Sequence, residues 1–512
     1  MKLKILDCTL RDGGYYTNWD FDDSTVESYI ESINNLPIDF IEIGYRSIKL
    51  DGYLGKYFYL PISFINEIRN KTDKKLVIIL NEKDIRVEHL DSILGECIGL
   101  IDLVRIAIDP KNIKRAIILA KDLKKMGFKV GFNVMYMSTW FEQKDLFESL
   151  SEVNNVADYF YMVDSFGGVY PKDVIKTYDR IKKDLTIKIG FHGHNNLELA
   201  LINTITAIDC GVDIVDATIT GMGRGAGNLK TELLLTHLSS IQGLEINFNS
   251  LSSIVDVFSV LQDKYNWGTN LPYMVSGANS LPQKQVMDWV SKRFYSFNSI
   301  IRTLNNESQG IIDNHKLEYL QLNKDYKSII IVGGGPTIKE SSKAIQKFIL
   351  KNPEALIIHS SSRNAMIFSE IKNDQIFCLV GNEGYRMEEV FNKDIPANSK
   401  CILPPFPRQM GTYIPKALLD KSYELEKVMF KSQSDVSHSL IAVQTAINFG
   451  LEQIYIVGYD GYANTLSKKE QDLFIENESL FEEVKNMGIN LISLTTTSYK
   501  NLTPCSIYSE IE

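Results

Sequence analysis

The 512-residue chain carries only six cysteines, Cys8, Cys97, Cys210, Cys378, Cys401 and Cys505, with no CxxC pair among them. That scatter excludes a disulfide frame and reads as reduced, mostly buried thiols. An excess of basic charge is also missing. The 55 Lys and Arg face 64 Asp and Glu for a net charge of -9, which argues against a nucleic-acid partner, since that would need a basic face. No apolar run is long enough to span a bilayer. No signal-peptide core or arginine-rich transit segment precedes the first apolar run, Met1-Lys2-Leu3-Lys4-Ile5-Leu6-Asp7. A cytoplasmic protein with no membrane partner is therefore expected. Internal repeats and low-complexity segments are absent too. What is present, 44% hydrophobic and 23% charged residues, is ordinary for a globular protein. The length calls for two or more domains.

The first half alternates short apolar runs with amphipathic helical stretches. The runs are Leu3–Leu10, Phe40–Arg46, Leu76–Asn81, Leu100–Ile108, Val130–Tyr136, Phe160–Phe166, Ile187–His194 and Ile214–Thr220. Between them lie periodic segments such as Asp23–Asn34, Ile113–Met126, Pro171–Lys183 and Leu197–Cys210. The runs are rich in Val, Ile, Leu and Phe without strict alternation, as parallel strands covered on both faces are. Eight strand-then-helix units are the count for a (β/α)8 barrel, with a doubly wound open sheet as the competitor. A barrel gathers functional residues at the C-terminal ends of its strands. Polar residues do fall there: Arg11 and Asp12 after run one, Glu42 and Arg46 on run two, Asn81 after run three, Arg105 on run four, Asn133 on run five. Asp164 and Ser165 end run six, and His192 and His194 end run seven.

His192-Gly193-His194 is the most informative of these segments. Side chains alternate along a strand, so the two imidazoles share a face and can bind one divalent metal together. Taken alone, the pair also reads as two solvated loop histidines. Asp12, in Asp7-Cys8-Thr9-Leu10-Arg11-Asp12-Gly13-Gly14, completes a two-His-one-carboxylate set with open positions for substrate.

After about Leu251 the pattern turns helical. The expected organisation is a barrel over 1–250, a helical extension over 251–305, a polar linker over 306–325 and an α/β domain over 326–512. The last begins with Ser328-Ile329-Ile330-Ile331-Val332-Gly333-Gly334-Gly335-Pro336-Thr337, a strand, a glycine turn and a helix start. Backbone N–H groups at such a turn can hold a phosphate, although glycines also serve tight strand-to-helix turns. Further strands are expected at Ala355–His359, Gln375–Val380, Lys400–Leu403 and Gln453–Tyr459, the last followed by Asp460. No convincing GxGxxG element is present, so NAD is not expected.

Three separated segments, the Asp7–Gly14 stretch, His192-Gly193-His194-Asn195 and Gly225-Ala226-Gly227-Asn228, resemble the signature segments of the DRE-type TIM-barrel metallolyases (the HMGL-like, pyruvate carboxyltransferase group). The similarity covers about residues 1–300 and is nearest the 4-hydroxy-2-oxovalerate aldolase branch. There the Pro272-Tyr273-Met274 region is similar to the helical extension after the barrel. The resemblance implies that Asp12, His192 and His194 hold Mn2+ or Mg2+, with Zn2+ a further candidate, and that Asn228 matches an additional ligand. It implies that Arg11 stabilises an enolate oxygen. From their places at strand ends and beside the extension, Glu42 is expected in the catalytic set and Asp164, Ser165, Asn133, Arg105 and Tyr273 as substrate contacts, with a structural role the alternative for Arg105 and Asn133. The resemblance further implies a homodimer. One position departs from the pattern: the aldolases place an acid/base histidine four residues after the motif arginine, where this chain has Tyr15, then Tyr16. A phenol, with an ordinary pKa of about 10, is the poorer base. The region 326–512 resembles, more loosely, Rossmann-like domains of the MptE-like (DUF115) group and of some sialyltransferases. This implies a nucleotide or nucleotide-linked sugar near Gly333, Gly334, Gly335 and Asp460.

Chemistry supports the barrel reading on its own terms. A 2-oxo acid such as pyruvate chelates a divalent ion through carboxylate and keto oxygens, the ion acts as a Lewis acid, and Arg11 adds fixed positive charge at the enolate oxygen. A Schiff-base aldolase needs a lysine inside the barrel, and strands five to seven offer none. The expected activity is metal-dependent aldol chemistry at the methyl carbon of pyruvate, with a sugar-derived carbonyl partner in polysaccharide precursor metabolism. Two alternatives stand beside it: an acetyl-CoA-dependent Claisen acyltransferase or lyase, and a nucleotide-sugar-binding or glycosyltransferase-like protein with a degenerate barrel.

Overall fold

The computed structural model of the chain describes residues 3–292, 296–320, 326–408, 410–430, 437–462 and 468–511. Two compact units divide at Asp288 and Trp289.

The first unit is a closed barrel of eight parallel strands in sequence order: β1 (Lys4–Asp7), β2 (Phe40–Tyr45), β3 (Lys75–Asn81), β4 (Leu103–Ile108), β5 (Val130–Val134), β6 (Tyr159–Asp164), β7 (Lys188–Gly193) and β8 (Ile214–Ala217). All eight expected runs are strands. β1 pairs with β8, Ile5 opposite Val215 and Asp7 opposite Ala217, which closes the cylinder. Alternate residues divide between two cores, as the period of two requires. Ile5, Ile41, Ile78, Val104, Ile106, Phe132, Phe160, Met162, Ile189 and Phe191 pack outward against the helices. Leu6, Phe40, Val77, Leu103, Tyr159, Tyr161 and Ile214 fill the interior. Gly190 on β7 makes room for Tyr161: a Cβ there would stand 2.4 Å from the Tyr161 ring.

The helices begin where side chains can take up their free N–H groups. Pro171–Lys182, for example, has proline in its first turn, and the Asp173 carboxylate accepts the Tyr170 N–H at 3.0 Å. After the barrel come the helices Phe248–Tyr265, Leu271–Ala278 and Gln283–Lys292.

The second unit holds one parallel eight-stranded sheet. In chain order its strands are β9 (Ser328–Val332), β10 (Ala355–His359), β11 (Gln375–Cys378), β12 (Ser399–Leu403), β13 (Ser422–Glu424), β14 (Ile454–Val457), β15 (Leu491–Ser493) and β16 (Thr503–Pro504); in space they run β13-β12-β11-β10-β9-β14-β15-β16. The order reverses between β9 and β14, the switch point at which doubly wound sheets open a crevice. The helix Phe297–Gln309, expected as the end of the barrel's extension, falls in this unit instead. Its Arg302 Nε donates to Asn382 Oδ1 at 2.6 Å and its Thr303 hydroxyl to the Met410 carbonyl at 2.9 Å. Of the helical stretch and linker expected there, residues 293–295 and 321–325 lie outside the described residues. Among the described residues no helix is long and apolar enough to cross a membrane.

Candidate metal centre and active site

Asp12 ends a single helical turn, Thr9–Asp12, directly after β1. The buried Asp7 carboxylate starts that turn by accepting the Thr9 N–H at 3.0 Å and the Thr9 hydroxyl at 2.6 Å. Gly13 and Gly14 let the chain leave it through a crowded space. A Cβ at Gly14 would sit 2.1 Å from the Trp19 indole, and one at Gly13 2.6 Å from Met222 Sδ. At the end of β7, His192 and His194 present their rings 5.0 Å apart. Asp12, His192 and His194 each offer one ligand atom, all within 4.8 Å of one another, and Asp12 Oδ2 lies 3.5 Å from His192 Nε2.

The hydrogen bonds around the rings fix which nitrogens are free. His192 Nδ1 lies 2.9 Å from Asp216 Oδ2, and His194 Nδ1 lies 2.7 Å from the Asp164 carbonyl oxygen. Both oxygens only accept, so each Nδ1 carries a hydrogen and Nε2 is the nitrogen left to meet a cation. Burial, then His192, brings the His194 pKa down to about 3, so that ring is neutral. Burial alone would raise the Asp12 carboxyl. Arg11 first, then the two imidazoles and the Asn228 amide, hold it below the usual carboxylate range. Asn228 Nδ2 donates to Asp12 Oδ2 at 2.6 Å, while its Oδ1 is buried without a hydrogen-bond partner. Two imidazoles with Nε2 free of other partners, a charged carboxylate and an orphaned amide oxygen fit a divalent cation. A second group, Cys8, His192 and Asp216, also lies within 4.8 Å. There Asp216 is already taken by Arg105 and His192, and burial pushes the Cys8 thiol well above its usual pKa.

Behind the metal set runs a closed circuit of buried charge. Arg11 contacts Asp12 Oδ1 through Nη1 and donates from Nε to Glu42 Oε2 at 2.7 Å; its Nη2 is buried and unpartnered. Arg105, 0% exposed, donates to Asp216 Oδ2 at 2.7 Å and to Asn133 Oδ1, and lies 3.5 Å from Glu42 Oε1. Its guanidinium covers the Tyr161 ring at 4.1 Å. Arg105 is the strongest of the charges that counter burial at Asp216, whose carboxyl is held below its usual range.

The remaining expected residues each have partners within the protein. Glu42, Arg105 and Asn133 are buried and bonded within the charge circuit, where they hold Arg11 and Asp216 in place. The Asp164 carboxylate turns to its own loop, accepting the Gly168 N–H at 3.1 Å, and burial raises its pKa to about 6. Its backbone carbonyl is the group that meets His194 Nδ1. The Ser165 hydroxyl accepts the Tyr136 N–H at 2.9 Å. Tyr273, 2% exposed, shares a side-chain hydrogen bond with Tyr16, whose hydroxyl also donates to the Gly225 carbonyl at 2.8 Å. Tyr15 does reach the mouth, its hydroxyl 3.3 Å from that of Tyr45, under the Arg224 guanidinium at 5.5 Å. Asp216, Tyr45 and Arg224 escaped the sequence reading. Asp216 alone left a trace, as a lone acid inside an apolar strand.

In the second unit, Gly333, Gly335 and Asp460 come together at the ends of β9 and β14. The Gly335 N–H donates to the Gly458 carbonyl at 2.9 Å. Cβ atoms at 333 and 335 would meet Gly458 O and Asp460 Oδ1, each at 2.4 Å. The Asp460 carboxylate accepts the Thr337 N–H at 2.9 Å and also takes its hydroxyl. The start of the short helix Thr337–Glu340 is thus capped by a carboxylate, and these two glycines serve close strand approach. A Cβ at Gly334 would meet only the Ser361 side chain, at an ordinary contact distance of 3.7 Å.

Residues 104–260 match the HMGL-like family model. A 4-hydroxy-2-oxovalerate aldolase of Geobacillus genomosp. 3 is 30% identical over 277 residues, covering 51% of this chain and 77% of that protein. An oxaloacetate decarboxylase of Mycobacterium tuberculosis is 28% identical over 237 residues, 46% of this chain and 69% of that protein. Among solved structures, the N-terminal domain of a Bacteroides vulgatus protein described as a candidate aldolase is 58% identical, covers 59% of this chain and 99% of that domain, and superposes with a TM-score of 0.56. By these similarities the chain belongs to the HMGL-like family, alongside the 4-hydroxy-2-oxovalerate aldolases.

Proposed function

We propose that the barrel is a divalent-metal-dependent aldolase, a carbon–carbon lyase that forms or cleaves a bond at the methyl carbon of pyruvate or a similar 2-oxo acid. One observation carries this reading: two imidazoles with both Nδ1 hydrogens already bonded and Asp12 converge beside the unpartnered Nη2 of Arg11. The names of the relatives agree with it. Oxaloacetate and 4-hydroxy-2-oxovalerate are both 2-oxo acids from which loss of the substituent at carbon 3 leaves the enolate of pyruvate.

Asp12, His192 and His194 would hold the cation, Mn2+ or Mg2+ with Zn2+ also fitting, and Asn228 Oδ1 is placed to join them. When bound, the cation supplies a Lewis acid for the 2-oxo acid. Arg11 holds fixed positive charge, and a spare N–H, for the oxygen that becomes negative on enolisation. Its orientation comes from Glu42, which Arg105 in turn secures. Tyr15 and Tyr45 stand at the electrophile's side. Burial raises the Tyr45 pKa well above the ordinary phenol value, so it remains a donor. In the bond-forming direction Tyr15 is placed to give its proton to the new alkoxide, with Tyr45 holding the phenol in position.

The test is deuterium exchange. Pyruvate in D2O with the Mg2+-loaded protein loses its methyl proton signal; the loss stops with EDTA and in Asp12→Ala. Absence of exchange from the loaded wild type refutes the reading. We extend the proposal to a sugar-derived carbonyl partner and to a phosphate-bearing ligand, such as a nucleotide-linked sugar, in the second unit. The support is the reversal of strand order between β9 and β14, with the uncrowded Gly334 following β9. A nucleotide sugar that raises the melting temperature of the full chain would support that extension, and no shift with any nucleotide would end it.

A further inference from the structure

Every guanidinium of the site is paired except one. Arg11 is matched by Asp12 and Glu42, and Arg105 by Asp216 and Glu42. Arg224 has no hydrogen-bond or ion-pair partner among the described residues. Its Nε is buried and unsatisfied, and its guanidinium lies 5.5 Å from the centre of the Tyr15 ring.

The loop after β8 fixes this placement. Gly225 and Gly227 hold φ of +67° and +82°, which side chains with a Cβ rarely adopt. The Arg224 carbonyl accepts the Gly227 N–H at 3.2 Å. A Cβ at Gly223 would stand 2.6 Å from the Asn228 amide. One rigid loop thus sets Asn228 beside Asp12 and Arg224 above Tyr15. Leaving a half-buried guanidinium nitrogen without an acceptor is unfavourable, and it persists here at the mouth, beside the phenol assigned to the electrophile.

The charges give the same answer. Asp12, Glu42 and Asp216 face two paired arginines. A divalent cation together with the carboxylate of a 2-oxo acid leaves that group neutral. Arg224 is then the surplus positive charge, and it lies on the electrophile's side.

We propose that Arg224 binds an anionic group, carboxylate or phosphate, on the carbonyl compound that reacts with the 2-oxo acid, so that the second substrate is an anionic aldehyde or ketone. This rests on the aldol reading above. The reaction balances within its two substrates: one methyl hydrogen of pyruvate leaves as a proton, a bond forms from that carbon to the carbonyl carbon, and the carbonyl oxygen gains a proton.

The test compares four aldehydes with pyruvate and the Mg2+-loaded protein: glyoxylate (carboxylate), glycolaldehyde phosphate (phosphate), and neutral glycolaldehyde and propanal. The wild type is expected to favour an anionic aldehyde in kcat/KM by about tenfold to a hundredfold, the worth of a hydrogen-bonded charge pair. Arg224→Met should abolish that preference and Arg224→Lys should restore part of it. Whether glyoxylate or glycolaldehyde phosphate leads identifies the anion. Binding of the two anionic aldehydes to the metal-free wild type and to Arg224→Met, followed by calorimetry, is the readout independent of turnover, with at least about a tenfold loss of affinity expected. Equal use of neutral and anionic aldehydes by the wild type, or equal binding by wild type and Arg224→Met, overturns the proposal. Pyruvate exchange by the wild type judges the aldol reading separately.

Discussion

Asp216→Asn separates positioning from stability. In the wild type the Asp216 carboxylate accepts from both His192 Nδ1 at 2.9 Å and Arg105 Nη2 at 2.7 Å, with Arg105 fully buried. The amide keeps one accepting oxygen and loses the charge. Breaking a buried pair by removing one partner costs about 3–5 kcal/mol, because the remaining charge is stranded. Weakening the acceptor behind a metal-ligating histidine typically lowers metal affinity about 10- to 100-fold, or roughly 1.4–2.8 kcal/mol. Adding Arg105→Met removes the stranded cation and leaves Glu42 paired with Arg11 at 2.7 Å. The double variant should therefore recover most of the stability and none of the metal affinity. Urea unfolding of the apo proteins reads the first quantity, and Mn2+ titration by calorimetry reads the second. Wild-type Mn2+ affinity in Asp216→Asn, or recovery of both quantities together in the double variant, would refute the reasoning.

Other predictions follow from single contacts. Chelating the cation should lower the melting temperature, since a ligand at a hundredfold excess over its Kd stabilises by about 2.7 kcal/mol; a scan with and without EDTA checks this. Gly227→Ala places a Cβ 2.0 Å from the Gly221 carbonyl at a φ of +82°, so it should cost about 1–3 kcal/mol and weaken Mn2+ binding through the adjacent Asn228, both measurable by the same two assays. Tyr15→Phe should lower aldol turnover by about a hundredfold or more, read from the initial rate with any accepted aldehyde. His359, buried on β10 against Phe377 with Gln375 at 2.8 Å, has its pKa brought down to about 4 by burial. The unfolded chain takes up the proton first, so this stabilising contribution is complete above pH 6.5 and is lost as the pH falls toward 4, by about 3 kcal/mol in all. His359→Met should flatten that slope in urea titrations at pH 4.5 and 7, and an unchanged slope would count against it.

The barrel was legible because its strands are buried on both faces. An apolar run such as the Leu76–Leu80 core of β3 stands out against amphipathic helices whatever its register. The metal set was legible because His192-Gly193-His194 and Arg11-Asp12 concentrate rare chemistry at strand ends. The circuit behind it was harder to assign. Arg105 and Asn133 read as substrate contacts because a polar residue at a strand end looks the same in sequence whether it faces solvent or another buried polar group. The paired acid, Asp216, is 111 positions away from Arg105, and no local pattern links the two. Arg224 was hidden by the opposite effect: among glycines it looked like part of a turn. In the second unit β13, β15 and β16, of three, three and two residues, are too short to form an apolar run.

The closure of the barrel has a consequence for how the chain folds. Asp12 follows the first strand and Asn228 the last, yet they share a 2.6 Å hydrogen bond across 216 positions of sequence. Closing a flexible loop of that length costs about 5 kcal/mol of entropy at 25 °C, and contacts so distant in sequence form late and slowly. The same few residues that gather for chemistry therefore lie on the seam where the first and last strands must find each other. A cation held there would act as a clasp, slowing the parting of β1 from β8 and making the rate of unfolding a reporter of metal occupancy.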